Sequence, residues 1–341
     1  CSFPIISYIP QALTLRILSL INIGPIQSIY FVRLIMSILG YFWFLYLYRK
    51  ITDNFKLILL FTFTLPMTLH QISSFSYDAI HIMFALTFFT LLMGRDVNNH
   101  VSIKYIKLFF ILFLFLASKK IGYETFFLFL FLIPLKIKPM IISSLIFIPF
   151  YFLSKLTGSY DLQSALVHQT INPFQQLSFL LANPVNVIIV ITATTINGIG
   201  FYLQSLIGIF GWLEYGLDPF SYFLYGLFFI YVLTNINLVK KQMLTKNKTI
   251  LLFATLIISY IYIVLLAFVF NTPSRKIGAH GVQGRYFIPF VPVIILLITQ
   301  FTKKIKWPKI KMGEKIIDII YLLIIIYLIG ATFYSVFNRY Y

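Results

Sequence analysis

Residues 249–270 read TILLFATLIISYIYIVLLAFVF, an uninterrupted stretch without a single charge. A helix needs about 20 apolar residues to cross a hydrocarbon core, and lipid requires each backbone group to be satisfied within its own segment. This stretch therefore reads as a spanning helix. Its flanks differ. Lys240, Lys241, Lys246 and Lys248 lie before it, and NTPSRKIGAHGVQGR (271–285) follows.

Outward from this run the pattern repeats. Apolar stretches occupy 26–48, 55–72, 79–94, 105–118, 121–135, 139–155, 219–239, 286–302 and 316–338. Another, 178–213, is interrupted by Thr192, Thr194, Thr195, Asn197, Gly198 and Gly200 and reads as an interfacial or re-entrant segment. Over 341 residues, 60% are apolar and only 11% charged, with a mean hydropathy of +0.92. Soluble domains carry about a quarter charged residues. The composition excludes a cytosolic enzyme, a nucleic-acid-binding protein and a disulfide scaffold, since Cys1 is the lone cysteine. The fold class is all-α, a polytopic transmembrane bundle of about ten spans.

One integral membrane domain, 1–341, is expected. Residues 1–25 form an outer amphipathic segment built on Pro10–Gly24, 26–155 six spans, 156–218 the outer or re-entrant segment, and 219–341 four spans. The net charge of +18 follows the positive-inside rule. The clusters at 49–56, 95–107, 136–138, 240–248 and 303–315 hold 18 basic residues against about eight on the other side. The reading is a plasma-membrane protein with cytoplasmic basic loops and both ends outside.

The sequence has no phosphate loop, no metal-spaced His/Cys set and no Ser-His-Asp order. No cofactor is called for. A divalent metal is left open, because acids distant in sequence can converge in space. Candidate chemistry gathers on the outer side. Asp78, in SSFSYDA (73–79), reads either as a helix N-cap or as a carboxylate that orients or deprotonates a hydroxyl. Glu124 is the second candidate catalytic acid. It follows Lys119 and Lys120 in a turn between two abbreviated apolar runs, which points either to a substrate site or to local bilayer thinning with snorkelling lysines.

Arg275, Lys276, His280 and Arg285 sit on the glycine-rich loop 271–285, outside the reach of the positive-inside rule. They suit a lipid-linked phosphate, with ordinary anionic headgroups as the alternative. Trp212 and Glu214, in GIFGWLE (208–214), offer a sugar-stacking platform. Arg33, within a span, should face the bundle interior or snorkel. Partners are membrane lipids and a polyprenyl-phosphate-linked sugar, not nucleic acid.

Four pieces then carry a resemblance: YIPQAL (8–13), Pro66-Met67 followed by SYDA (76–79), Gly208–Glu214, and GVQGRYF (281–287) with Pro289 and Pro292. In these the chain resembles the bacterial multi-pass membrane proteins catalogued as domain of unknown function 2142. That family looks like a distant relative of the C-type glycosyltransferases, which take a sugar from a polyprenyl-phosphate donor on the outer face. The resemblance implies an inverting displacement in envelope polysaccharide or glycolipid assembly. Arg285 would hold the departing phosphate, Arg275 and Lys276 would help, and Lys119 or Lys120 would complete the pocket. It also implies an N-terminally truncated chain, because the family's Pro-Asp-Glu stretch precedes the point where this sequence starts. The competing reading is a non-catalytic transporter or scaffold for a polyprenyl-linked oligosaccharide.

Overall fold

The computed structural model describes residues 5–93, 101–119, 122–132, 145, 171–211, 213–236, 245–273, 276–302 and 314–340. After a 3-10 turn at Ile5–Tyr8, α1 (Ile9–Leu20) folds back against α2 (Pro25–Lys50). The turn between them places Asn22 in the left-handed region (φ 56). Helix α1 is built inside out. Gln11, Thr14 and Leu18 are buried, while Ile9, Leu13, Ile17 and Leu20 are exposed. An apolar outer face with polar groups turned inward fits a helix bathed in lipid rather than water.

The run 55–72 does not make one straight helix. It splits into α3 (Asp53–Phe63) and α4 (Pro66–Ile72), bent by 66°. Pro66 lacks an N–H and forces Leu65 out of the helical region, to φ −51 and ψ 123, so the chain must turn there. Helix α5 (Tyr77–Met93) is buried on nearly every side, and Thr87 on it accepts a hydrogen bond from Trp43 Nε1 at 2.9 Å. Helix α6 is Val101–Ala117. The expected span 121–135 is instead a 3-10 segment at Glu124–Leu132, and nearly all of 139–155 lies outside the described residues.

Helices α7 (Pro173–Ala182) and α8 (Pro184–Gly208) each open with an Asn-Pro pair. Asn172 and Asn183 accept hydrogen bonds from Gln175 N at 3.1 Å and Val185 N at 2.9 Å, which satisfies exposed helix-end donors. Residues 184–208, read from the sequence as interrupted, form one continuous helix long and apolar enough to cross a membrane. A two-residue hairpin follows, with β1 (Ile209–Phe210) antiparallel to β2 (Tyr215–Gly216) and Phe210 facing Tyr215. Then come α9 (Pro219–Ile236), α10 (Lys246–Asn271), a 3-10 turn Gly284–Phe290 running into α11 (Val291–Phe301), and α12 (Glu314–Tyr340).

Five of the described helices are long and apolar enough to span: α2, α8, α9, α10 and the continuous Gly284–Phe301 segment. The bent α3–α4 pair makes a sixth. Helices α5 and α6 are apolar but shorter. The all-α polytopic bundle stands, with fewer full-length spans among the described residues than the ten expected. Four apolar clusters among the described residues hold it together, and the two largest bear on the site. Phe61, Phe228, Val232 and Ile295 join α3, α9 and α11. Phe88, Phe115, Phe126 and Phe290 join α5, α6, the 3-10 segment and the start of α11. Ring centroids 4.4 Å apart at Phe115–Phe126 and 4.8 Å apart at Phe126–Phe290 tie the turn after α6 to the entrance of α11.

Candidate functional site

That aromatic tie brings three charges from three elements to one end of the bundle. Asp78 lies in the first turn of α5, where the helix dipole favours an anion. It is not the cap: Ser76 Oγ accepts the hydrogen bond from Asp78 N at 3.1 Å. The Asp78 carboxylate is thereby free to face inward. Lys119 Nζ, just beyond α6, donates to its Oδ1 at 3.2 Å. Arg285 Nε lies 3.8 Å from Oδ2, an ion pair too long for a hydrogen bond. Side-chain exposures of 7% for Asp78, 13% for Lys119 and 27% for Arg285 place the cluster largely out of water.

Phenols close around Lys119. Nζ stands 4.4 Å from the Tyr286 ring centre, 4.9 Å from Tyr123 and 5.6 Å from Tyr77, all within cation–π range. Tyr123 OH accepts from Nζ at 3.2 Å and donates to Tyr286 O at 2.9 Å. Burial works most strongly against the ammonium charge, but the Asp78 carboxylate together with the surrounding Tyr123, Tyr77 and Tyr286 hydroxyls offsets it and holds the Lys119 pKa above that of an ordinary lysine.

Arg285 is placed by its neighbour. Gly284 N donates to Ser205 Oγ at 2.8 Å, and a Cβ on Gly284 would overlap the backbone of Tyr202 and Leu206. Only glycine lets the loop press this close to α8. Arg33 turns inward, as expected of a charge within a span, and donates to Ser73 O at 3.3 Å. His70 Nδ1, Gln283 Oε1 and Arg285 Nε are buried without a hydrogen-bond partner. A cleft of about 180 Å³ opens beside Lys119, lined by Gly122, Tyr123, Leu266, Asn271 and Tyr286. Small-molecule pockets run to roughly 300–1,000 Å³, so this cleft is smaller than a site that encloses a whole ligand.

The other sequence candidates divide. Glu124 serves its own turn, where Oε2 accepts from Gly122 N at 2.9 Å across a glycine with φ 119. Lys276 and His280 pair with each other, Nζ to Nε2 at 3.1 Å, and neither bonds to Arg285. Glu214 lies in the β1–β2 turn, where its N–H donates to Phe210 O at 3.3 Å. Lys120, Trp212 and Arg275 lie outside the described residues. Among the described residues no three His, Cys, Asp or Glu side chains are grouped to hold a metal ion.

Sequence reasoning missed the Ser205–Gly284 clasp and the tyrosine cage. The cage had a signal: each charged member or its turn carries a tyrosine beside it, in SYDA, IGYE and GRYF.

No curated protein and no solved structure matches the chain. The family described as "Predicted membrane protein (DUF2142)" matches residues 2–294. That match runs from the N-terminal turn to the start of α11 and includes Asp78, Lys119 and Arg285, and the chain belongs to this family of predicted membrane proteins.

Proposed function

We propose that the Asp78–Lys119–Arg285 centre binds the phosphate of a polyprenyl-phosphate-linked sugar, and that the chain is a glycosyltransferase-like protein of the plasma membrane. In this reading it acts at the outer face during envelope polysaccharide or glycolipid assembly. The observation that carries it is a charge surplus. Two cations share one buried carboxylate, and Arg285 keeps a buried Nε without a hydrogen-bond partner. A phosphate oxygen supplies the missing acceptor.

In the reaction an acceptor hydroxyl attacks the anomeric carbon and passes its proton to a carboxylate. The bond from that carbon to the phosphate oxygen breaks, and the lipid phosphate leaves with the electron pair. Lys119 and Arg285 stabilise the charge that develops on it. Asp78 orients the acceptor or takes its proton.

Proteoliposomes supplied with radiolabelled polyprenyl-phosphate hexoses and a cell-envelope extract test this. Wild-type protein should release polyprenyl phosphate, and Arg285→Ala should slow that release by about 10²-fold or more. A second reading has its own support. Asp78 is already held by both cations, an arrangement suited to a holder or transporter of a polyprenyl-linked oligosaccharide. Arg285-dependent binding without release by wild-type protein would select that reading.

A further inference from the structure

Away from the charged cluster, α8 borders two clefts that share Tyr202 in their walls. One, of about 650 Å³, lies between Thr194–Tyr202 and the loop 276–282 and is walled by Asn197, Phe201, Lys276 and His280. The other, of about 610 Å³, is bounded by Ile199, Leu203, Phe253, Phe287, Leu297 and Phe301. Both are of ligand size. Their chemistry is opposite. In the first, Lys276 and His280 are exposed, and neither pairs with a carboxylate among the described residues. In the second, the polar groups are already satisfied. Thr195 Oγ1 bonds Ile191 O at 2.7 Å and the Tyr260 phenol at 2.6 Å, and Ser259 Oγ donates to Thr255 O at 2.7 Å. That chamber therefore offers a ligand hydrocarbon contact alone.

The clefts also run the right way. Lys276 and His280 precede the opening of the Gly284–Phe301 segment, and Phe301 ends it, so the cationic end and the apolar end lie at opposite ends of one apolar segment. Asn197 is exposed on a helix apolar enough to span, a position that calls for a polar cavity rather than lipid tails. Gly198 leaves the space that the Tyr202 phenol occupies at this shared wall. A side chain there would overlap the Tyr202 phenol, whose ring lies back along α8 with its OH donating to Thr194 O at 3.3 Å.

From this we infer that the two clefts form one site for a phosphate-headgroup membrane lipid. Its phosphate rests on Lys276 and His280, and one hydrocarbon chain passes Tyr202 into the chamber ending at Phe301. The site is separate from the Asp78 centre and stands whether or not sugar is transferred.

The test is photocrosslinking of the full-length protein in nanodiscs with phosphatidylglycerol carrying a diazirine on one chain, the adducts being mapped by mass spectrometry. A diacylglycerol with the same chains is the neutral control. Adducts should fall on chamber residues and exceed those of the control by about tenfold, the worth of one charge-assisted contact. The surface variants Lys276→Glu and His280→Glu should remove that excess. Leu203→Trp, which fills the chamber, should remove labelling by both probes. Equal labelling by the neutral probe, or phosphatidylglycerol labelling unchanged in Lys276→Glu with His280→Glu, would mean ordinary annular lipid and overturn the site. Should Leu203→Trp fail to fold, the two surface variants still decide the question.

Discussion

Lys119 carries the most consequences of any single side chain. It holds one oxygen of a buried carboxylate, sits among three phenols and borders the cleft. Lys119→Met keeps the stem but strands Asp78 beside Arg285 alone. Losing one partner of a buried pair costs about 3–5 kcal/mol, so the thermal midpoint in detergent should drop sharply, with Lys119→Arg recovering part of it. An unchanged midpoint would show that Arg285 suffices. The pH dependence has a definite sign. With its folded-state pKa raised, Lys119 contributes stability that is fully present below the unfolded-state value and is lost only as pH rises through the higher folded-state value. Melts between pH 7 and 9 should therefore show no loss traceable to this residue. Asp218 behaves oppositely. Its carboxylate caps α9, accepting from Ser221 N at 2.9 Å and Ser221 Oγ at 2.6 Å, and these bonds lower its pKa. The cap's contribution is present above the ordinary aspartate range and is lost as pH falls through the depressed value.

Among elements, α8 is the one the sequence conceals. The runs 219–239, 249–270 and 316–338 were legible because apolar length, broken only by Asp318, and flanking lysines agree, and they correspond to α9, α10 and α12. The threonines of α8 looked like interruptions. Instead, Thr194 and Thr195 donate to the carbonyls of Val190 and Ile191, four residues back, and the helix continues. The bend at Pro66 had its signal in the proline itself, hidden inside an apolar run. For the site, Asp78, Lys119 and Arg285 were each legible as costly charges near span ends. Their convergence was not, because it depends on how α5, the turn after α6 and the entry to α11 pack. The clasp between α8 and Gly284 is where this packing is most exacting. Gly284→Ala forces a Cβ into the backbone of α8, and overpacking of this kind costs about 1–3 kcal/mol. Ser205→Ala leaves Gly284 N buried without an acceptor, at about the same cost. Both variants should insert yet lose any Arg285-dependent activity. Full activity in Gly284→Ala would mean that α8 does not position the arginine.

The whole molecule is apolar outward. Large side chains such as Ile17, Leu34, Phe42, Leu322 and Phe333 are exposed, while Gln11, Thr68, Gln71 and His81 are buried. A water-soluble monomer rarely shows contiguous apolar patches beyond a few hundred Å², so lipid must supply the missing contacts. Cysteines placed singly at Ile17, Leu34 and Leu322 should resist a membrane-impermeant maleimide in intact vesicles, whereas one at Lys276 should react. Equal reactivity at Leu34 and Lys276 would remove α2 from the lipid-facing surface.

The pairing of Asp78 with both Lys119 and Arg285 also imposes an order on biogenesis. The acid and its lysine leave the ribosome before Arg285 and can neutralise each other as α5 and α6 insert. Arg285 emerges only after α8 and α10 have been made, and it cannot dock until Ser205 is in place to receive Gly284. A nascent chain halted before that point holds a closed, neutral pair. The surplus positive charge appears only when the glycine-rich loop arrives, so the centre is electrically complete only after α10 has been made.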